Sequence, residues 1–175
     1  MTAEVQLVRL VQLDPVTIDA LAAGELAAAN RTAPVVLTPY LVSPECRGTW
    51  LRRSRQLVTD PSALSWITRV IHDERRQLTV GRAGFHGPPD ERGMVEFGYS
   101  VDPFYRRQGY ARACLLRLLE HAAAAAEVNV VRATISPDNV ASRSLVLQYG
   151  FVEVGEQWDD EDGIETIFEL PVERG

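Results

Sequence analysis

The sequence contains no lysine. All 18 of its basic residues are arginine, set against 24 acidic ones for a net charge of −6. The arginine-only pattern reads as a coding bias. The acidic balance excludes a chain built for non-specific nucleic-acid binding, which runs on clustered positive charge. Cysteine is nearly absent: Cys46 and Cys114 stand alone, without the CxxC spacing of a zinc site or the density of a disulfide framework. The three histidines, His72, His86 and His121, show no metal-ligand spacing, so no metal is expected. No run approaches the ~18 consecutive apolar residues that would span a membrane. The first residues, MTAEVQLVRLVQL, lack the basic-then-apolar order of a secretory signal, which leaves the cytoplasm as the expected location.

What is present is ordinary in bulk and informative in detail. At 175 residues, 46% hydrophobic and 24% charged, the composition fits one domain over residues 1–175. Folding at that length hides roughly 70% of the unfolded surface, enough for a core without staples. Val5–Leu13 reads as a strand, and Asp14-Pro15 opens a helix to about Ala29, with proline where a missing N–H costs nothing. Arg31–Pro44 reads as irregular and Thr49–Val58 as a helix. Ile67–Ile71 and Leu78–Phe85 form a hairpin around Asp73–Arg76, and His86–Gly93 is a loop by composition. Met94–Val101 alternates as a third strand. Ala111, Leu115, Leu118, Leu119, Ala122 and Ala126 give a helix from about Gly109 to Glu127 one apolar face. Val128–Ser136 is a strand, Asp138 or Asn139 caps a helix to about Tyr149, and Phe151–Trp158 with Ile164–Leu170 closes as a hairpin. The order predicts an α/β fold with a central, mostly antiparallel sheet.

The strongest local signal is Val101–Ala111, VDPFYRRQGYA. A strand ends, proline stops it, and the chain turns through Arg106, Arg107, Gln108 and Gly109 into a long helix. The first amides of a helix lack backbone partners and carry the positive end of its dipole, so the turn suits phosphate. No Gly-Lys-Ser/Thr follows, which excludes a P-loop, and a single glycine excludes the dinucleotide fingerprint.

RRQGYA, Arg106–Ala111, resembles the R/Q-x-x-G-x-G/A motif of the GCN5-related N-acetyltransferases. PDNVASRSLVLQYGF, Pro137–Phe151, is similar to the N-x-x-S…G-F segment of their RimJ/RimL-like branch, and VEFGYSV, Val95–Val101, to the strand before the cofactor loop. The three matches fall in order over residues 94–151. The resemblance implies the fold of that superfamily, a mixed, mostly antiparallel sheet flanked by helices, with acetyl-coenzyme A as acyl donor and a primary amine as acceptor. It implies cofactor contacts at Tyr99, Val101, Arg106, Arg107, Gln108, Gly109, Tyr110, Ala111, Arg112, Asn139 and Ser142. Many members carry a tyrosine four residues before the Gly-Phe glycine; that position is Val146 here, and the adjacent Tyr149 reads as packing. In the RimJ/RimL-like branch the serine of N-x-x-S, here Ser142, lies near the thiol.

Glu96 is the candidate base, because a carboxylate in an apolar strand takes up a proton more readily than one in water. Strand alternation puts Glu96, Gly98 and Ser100 on one face, with Gly98 as a candidate bulge that frees an amide for the thioester carbonyl. A non-catalytic acyl-coenzyme A-binding module is the alternative reading. From Glu153 to Glu173 the chain carries nine carboxylates, four of them consecutive (Asp159, Asp160, Glu161, Asp162). Such a run is an ordinary solvated hairpin tip, and it would also draw a cationic amine by its long-range field. The partners expected are therefore an amine substrate, no nucleic acid and no membrane, in a monomer or homodimer.

Overall fold

The computed structural model describes residues 7–174. Its seven strands run in the order β1-β2-β3-β4-β5-β7-β6. The elements are β1 (Val8–Val11), α1 (Pro15–Ala23), α2 (Leu26–Thr32), α3 (Pro44–Thr59), β2 (Arg69–Asp73), β3 (Leu78–Phe85), β4 (Met94–Val101), α4 (Tyr110–Ala124), β5 (Val130–Ile135), α5 (Val140–Gln148), β6 (Val152–Asp159) and β7 (Gly163–Pro171). The β1–β2, β2–β3, β5–β7 and β6–β7 pairings are antiparallel, and β4–β5 is parallel. This is the expected mixed, mostly antiparallel α/β class.

Contacts divide the chain into two compact units, residues 1–88 with 98–118 and residues 89–97 with 119–175. The division cuts β4 between Phe97 and Gly98. The first unit builds its core from α1, α3 and the strands beneath them. Ile18, Leu21, Leu41, Trp50 and Ile71 are almost wholly buried, and the Trp50 indole donates to Leu41 O at 3.0 Å. In the second unit β4 pairs with β5 from Met94↔Val130 to Glu96↔Arg132, and Phe97 meets Phe151 edge-on at 6.0 Å between ring centroids.

Several elements differ from the sequence expectation; β2 runs over Arg69–Asp73 and takes in Asp73, read as part of the turn, and α4 ends at Ala124. The single helix over residues 15–29 is two, α1 and α2, because Gly24 takes φ = 78° and ends α1 in a left-handed cap. The apolar period runs straight across that break, so periodicity alone does not show it. α3 starts at Pro44, five residues early, with proline in its first turn. β1 is confined to Val8–Val11, and Val5 lies outside the described residues. The acidic run is the β6–β7 turn itself: Asp159 Oδ1 accepts from the amides of Glu161 and Asp162 at 2.8 and 2.9 Å. Both cysteines are free and buried.

Glycine is required where neighbouring β3 and β4 come closest. A Cβ on Gly81 would fall far inside contact distance of Ser100 O, a backbone atom that cannot swing away, whereas a Cβ on Gly155 meets nothing within 4 Å. Gly81→Ala should therefore cost at least about 2 kcal/mol, while Gly155→Ala should stay within about 0.5 kcal/mol of the parent. Thermal melts of the two variants check the contrast; equal melting temperatures would contradict the close approach of β3 and β4 at Gly81.

Candidate active site

The turn into α4 is held by tertiary bonds as well as by its own sequence. Asp102 accepts from the Phe104 amide at 2.9 Å and starts a short 3-10 turn at Pro103–Tyr105. Arg107 and Gly109 then both take left-handed backbone, φ = 61° and 87°. For glycine this is free; for arginine it costs of order 1–3 kcal/mol unless the surroundings enforce it. The surroundings do. Tyr110, 2% exposed, donates its hydroxyl to Asp73 Oδ2 at 2.6 Å. Asp73 Oδ1 accepts from the amides of Arg75 and Arg76, each at 3.0 Å. Arg76 Nη1 reaches Tyr110 Oη at 2.9 Å and Gln108 Oε1 at 3.0 Å, and its guanidinium lies 5.6 Å from the Tyr105 ring centroid. Burial pushes the Asp73 carboxyl up, but the Tyr110 hydroxyl, the two amides and the Arg76 charge outweigh it and hold the group below its usual range.

Arg106 is committed elsewhere. Its Nε donates to Val101 O at 2.8 Å and its Nη2 to Glu45 Oε1 at 3.0 Å, while Ser100 Oγ donates to the same Glu45 oxygen at 2.7 Å. The Tyr40 hydroxyl closes this network on Ser100. Of the two turn arginines, Arg107 is exposed and pairs with no described residue. The side chains of Arg106, Gln108 and Tyr110 therefore shape the turn, and the groups left to meet an anion are the first amides of α4 and the Arg107 guanidinium. Ala111 is half-buried and Arg112 exposed, on the helix's first turn. Tyr99 is half-buried and Val101 buried on β4. The first unit thus gathers Tyr99, Val101 and the whole Arg106–Arg112 segment.

In the second unit, Glu96 is half-buried and its Oε1 accepts from Thr134 Oγ1 of β5 at 2.6 Å. Arg132, opposite Glu96 in the register, gives its charge to Glu169, with Nε at 3.0 Å from Oε1. Asn139 is an exposed helix cap: its Oδ1 accepts from the Ser142 amide at 3.2 Å. Ser142 lies in the first turn of α5, half-buried. Arg143 anchors that helix through Thr166 Oγ1 at 3.1 Å and the Phe168 ring at 5.5 Å. Val146 is fully buried, and Tyr149 sits at the helix C-cap.

Sequence reasoning missed Asp73, Arg76, Tyr40, Glu45 and Thr134. Their partners lie 37, 34, 60, 61 and 38 residues away in the chain, and no local spacing announces such pairs.

Residues 8–152 match the family described as acetyltransferase (GNAT) domain. Two Bacillus subtilis (strain 168) proteins, the uncharacterized N-acetyltransferases YjdG and YoaA, are 32% identical over 88 residues and 30% over 84. Those alignments cover 50% and 47% of this chain, which spans about half the length of the curated relatives it matches, 51% and 48%. The fold is also similar to solved structures. A ribosomal-protein-S5-alanine acetyltransferase from Vibrio fischeri has TM-score 0.62 and 19% identity over 95% of this chain and 92% of that one. A spermidine/spermine N-acetyltransferase, SpeG from Vibrio cholerae, has TM-score 0.66 and 13% identity over 95% and 94%.

Removing the Tyr110 hydroxyl isolates the clamp. Tyr110→Phe should cost about 2 kcal/mol at neutral pH, the worth of a bond to a charged acceptor. Because the folded-state Asp73 titrates below its ordinary 3.8, that contribution is present above 3.8 and is lost as pH falls through the folded value. Chemical denaturation at pH 7 and at pH 3 should show the gap between variant and parent narrowing in acid; a constant gap would remove Asp73 from the account.

Proposed function

The chain belongs to the GNAT acetyltransferase family, and from that premise we propose that it transfers an acetyl group from acetyl-coenzyme A to a primary amine, in the manner of the RimJ/RimL-like branch. The observation that carries the reading is the left-handed Arg107–Gly109 turn, held rigid by Asp73 and Arg76 at the start of α4. Helix amides, a side-chain-free glycine and one unpaired guanidinium are the donor set that a pyrophosphate requires.

The donor supplies an acetyl thioester whose leaving thiol has a pKa near ~8.5 by analogy with cysteine. The remaining work belongs to the protein, which must position two reactants and move one proton. The α4 amides and Arg107 take the phosphates, and backbone near Val101 takes the pantetheine arm. Glu96, its carboxylate oriented by Thr134, removes the proton of the ammonium, which is otherwise charged at neutral pH. The free amine attacks, the N–C bond forms, and the C–S bond breaks as the nitrogen gives up its second proton to yield the amide. Ser142, in the first turn of α5, relays that proton through its hydroxyl to the departing sulfur, since Val146 has no hydroxyl to offer. Asn139 serves by fixing the start of that helix.

Two measurements test this reading. Gly109→Asp adds a side chain and a negative charge where phosphate would sit, so calorimetry with coenzyme A should show affinity at least about tenfold weaker in a variant that remains folded. Unchanged affinity would move the donor site elsewhere. Steady-state thiol release with an amine panel reads the chemistry: Glu96→Gln should lower turnover by roughly 10²–10³ with coenzyme A binding intact. Turnover within a few-fold of the parent would assign the proton to another group, and no thiol release with any amine would favour a non-catalytic acyl-coenzyme A-binding module.

A further inference from the structure

In the first unit, α3 and β3 bring two guanidiniums together and give neither a carboxylate. Arg53 is 8% exposed, and all its bonds go to neutral acceptors: Nε to Thr68 Oγ1 at 3.1 Å, and Nη1 to Gln56 Oε1 at 2.9 Å and His86 O at 3.0 Å. Arg82, on β3, is half-buried: its Nη2 donates to the Glu45 carbonyl at 3.3 Å on the solvent side, and its Nε is buried with no hydrogen-bond partner among the described residues. Beside it stands the Cys46 thiol, a weak acceptor. The Glu45 carboxylate is already taken by Arg106 and Ser100. Each ion removed from water costs several kcal/mol, and buried charges are ordinarily paired. Here the charges instead crowd one another: burial, Arg52 and Arg82 together push the Arg53 guanidinium down to about 10.

Gly98 lies beside the His86 ring and carries no side chain; a Cβ there would crowd Nε2 at 3.1 Å. Surrounding protein and the charges of Arg53, Arg52 and Arg82 hold that imidazole neutral well below its ordinary range, even though the residue keeps an exposed side. The cluster therefore offers fixed positive charge from two guanidiniums, an orphaned N–H and a neutral ring, around a bare stretch of strand. A carboxylate matches it: planar, singly charged and suited to the guanidinium fork.

We propose that Arg53 and Arg82, with His86 beside them, form a carboxylate-binding site, and that the amine acceptor of this enzyme carries its own carboxylate. The inference about the acceptor rests on the acetyl-transfer reading; the site itself does not. It departs from the expectation drawn from the acidic β6–β7 turn, whose exposed carboxylates would draw a purely cationic amine, whereas here a guanidinium and an orphaned N–H are withdrawn from solvent.

The test compares three amines of equal chain length that differ in one terminal group, an amino acid, its amide and the matching aminoalkyl phosphate, by thiol release with acetyl-coenzyme A. The acid should exceed its amide by at least about tenfold in kcat/KM, the discrimination expected of a site built for a charged partner. In Arg82→Gln, with folding verified by circular dichroism, the acid-to-amide ratio should fall to within about threefold of unity. Should that variant fail to fold, Arg82→Lys keeps the charge without the fork and should still lower the ratio. Equal use of acid and amide by the parent, or a ratio unchanged in the variants, overturns the proposal, and preference for the phosphate overturns the carboxylate assignment. Calorimetry with N-acetylglycine and N-acetylglycinamide separates the two readings. Binding of the acid alone, lost in Arg82→Gln, upholds the site even if no amine releases thiol; indifference to the carboxylate overturns it whatever the activity.

Discussion

A single buried carboxylate decides the geometry at the start of α4. Asp73 lies at the end of β2, 5% exposed, and it gathers the Tyr110 hydroxyl and two backbone amides of its own turn. Because the acceptor is charged and the donors are fixed, each such bond is worth roughly 1.5–3 kcal/mol, more than a neutral pair. Arg76 then extends the arrangement to Gln108 and the Tyr105 ring. The β2–β3 turn and the loop before α4 behave as one piece. That over-determination is what allows Arg107 to remain at φ = 61°, a conformation an isolated chain would leave.

The arginines divide into those whose charge is answered and those whose charge is not. Arg132 meets Glu169 and Arg106 meets Glu45, while Arg143 settles on Thr166 and the Phe168 ring. These bonds orient strands and helices. Arg107 is unanswered in solvent, where a lone charge costs little. Arg53 is unanswered inside the protein, where it costs several kcal/mol, and the neighbouring Arg82 keeps a buried Nε without a partner. A fold that only needed stability would place apolar side chains there. The distinction between the two settings is dielectric: a charge in water is already answered by solvent, while a charge inside the protein is not.

Much of the fold was legible from pattern. Met94–Val101 forms a strand with the boundaries expected of it, because alternation and the following Asp-Pro mark both its faces and its end. The helix after Gly109 and the closing hairpin follow from local period and turn chemistry. The break at Gly24 escaped because a glycine within an apolar stripe reads as tolerated until its backbone angle is known. Thr134 escaped because its partner, Glu96, arrives on a parallel neighbour, and parallel pairing leaves no mark in the local sequence.

The sequence by itself determined the class of the fold, the place of the turn proposed to meet an anion and the candidates Glu96 and Ser142, since each rests on neighbours within a few residues. Only the tertiary structure decided which side chains those residues would keep for themselves. Arg106, Gln108 and Tyr110 sit inside the motif, yet Glu45, Arg76 and Asp73 claim them from 61, 32 and 37 residues away. Arg53 and Arg82 look like any other arginines in the chain until α3 meets β3, which buries Arg53 and the Nε of Arg82. Local spacing sets where a group stands, but burial and long-range pairing set what charge it has left to use.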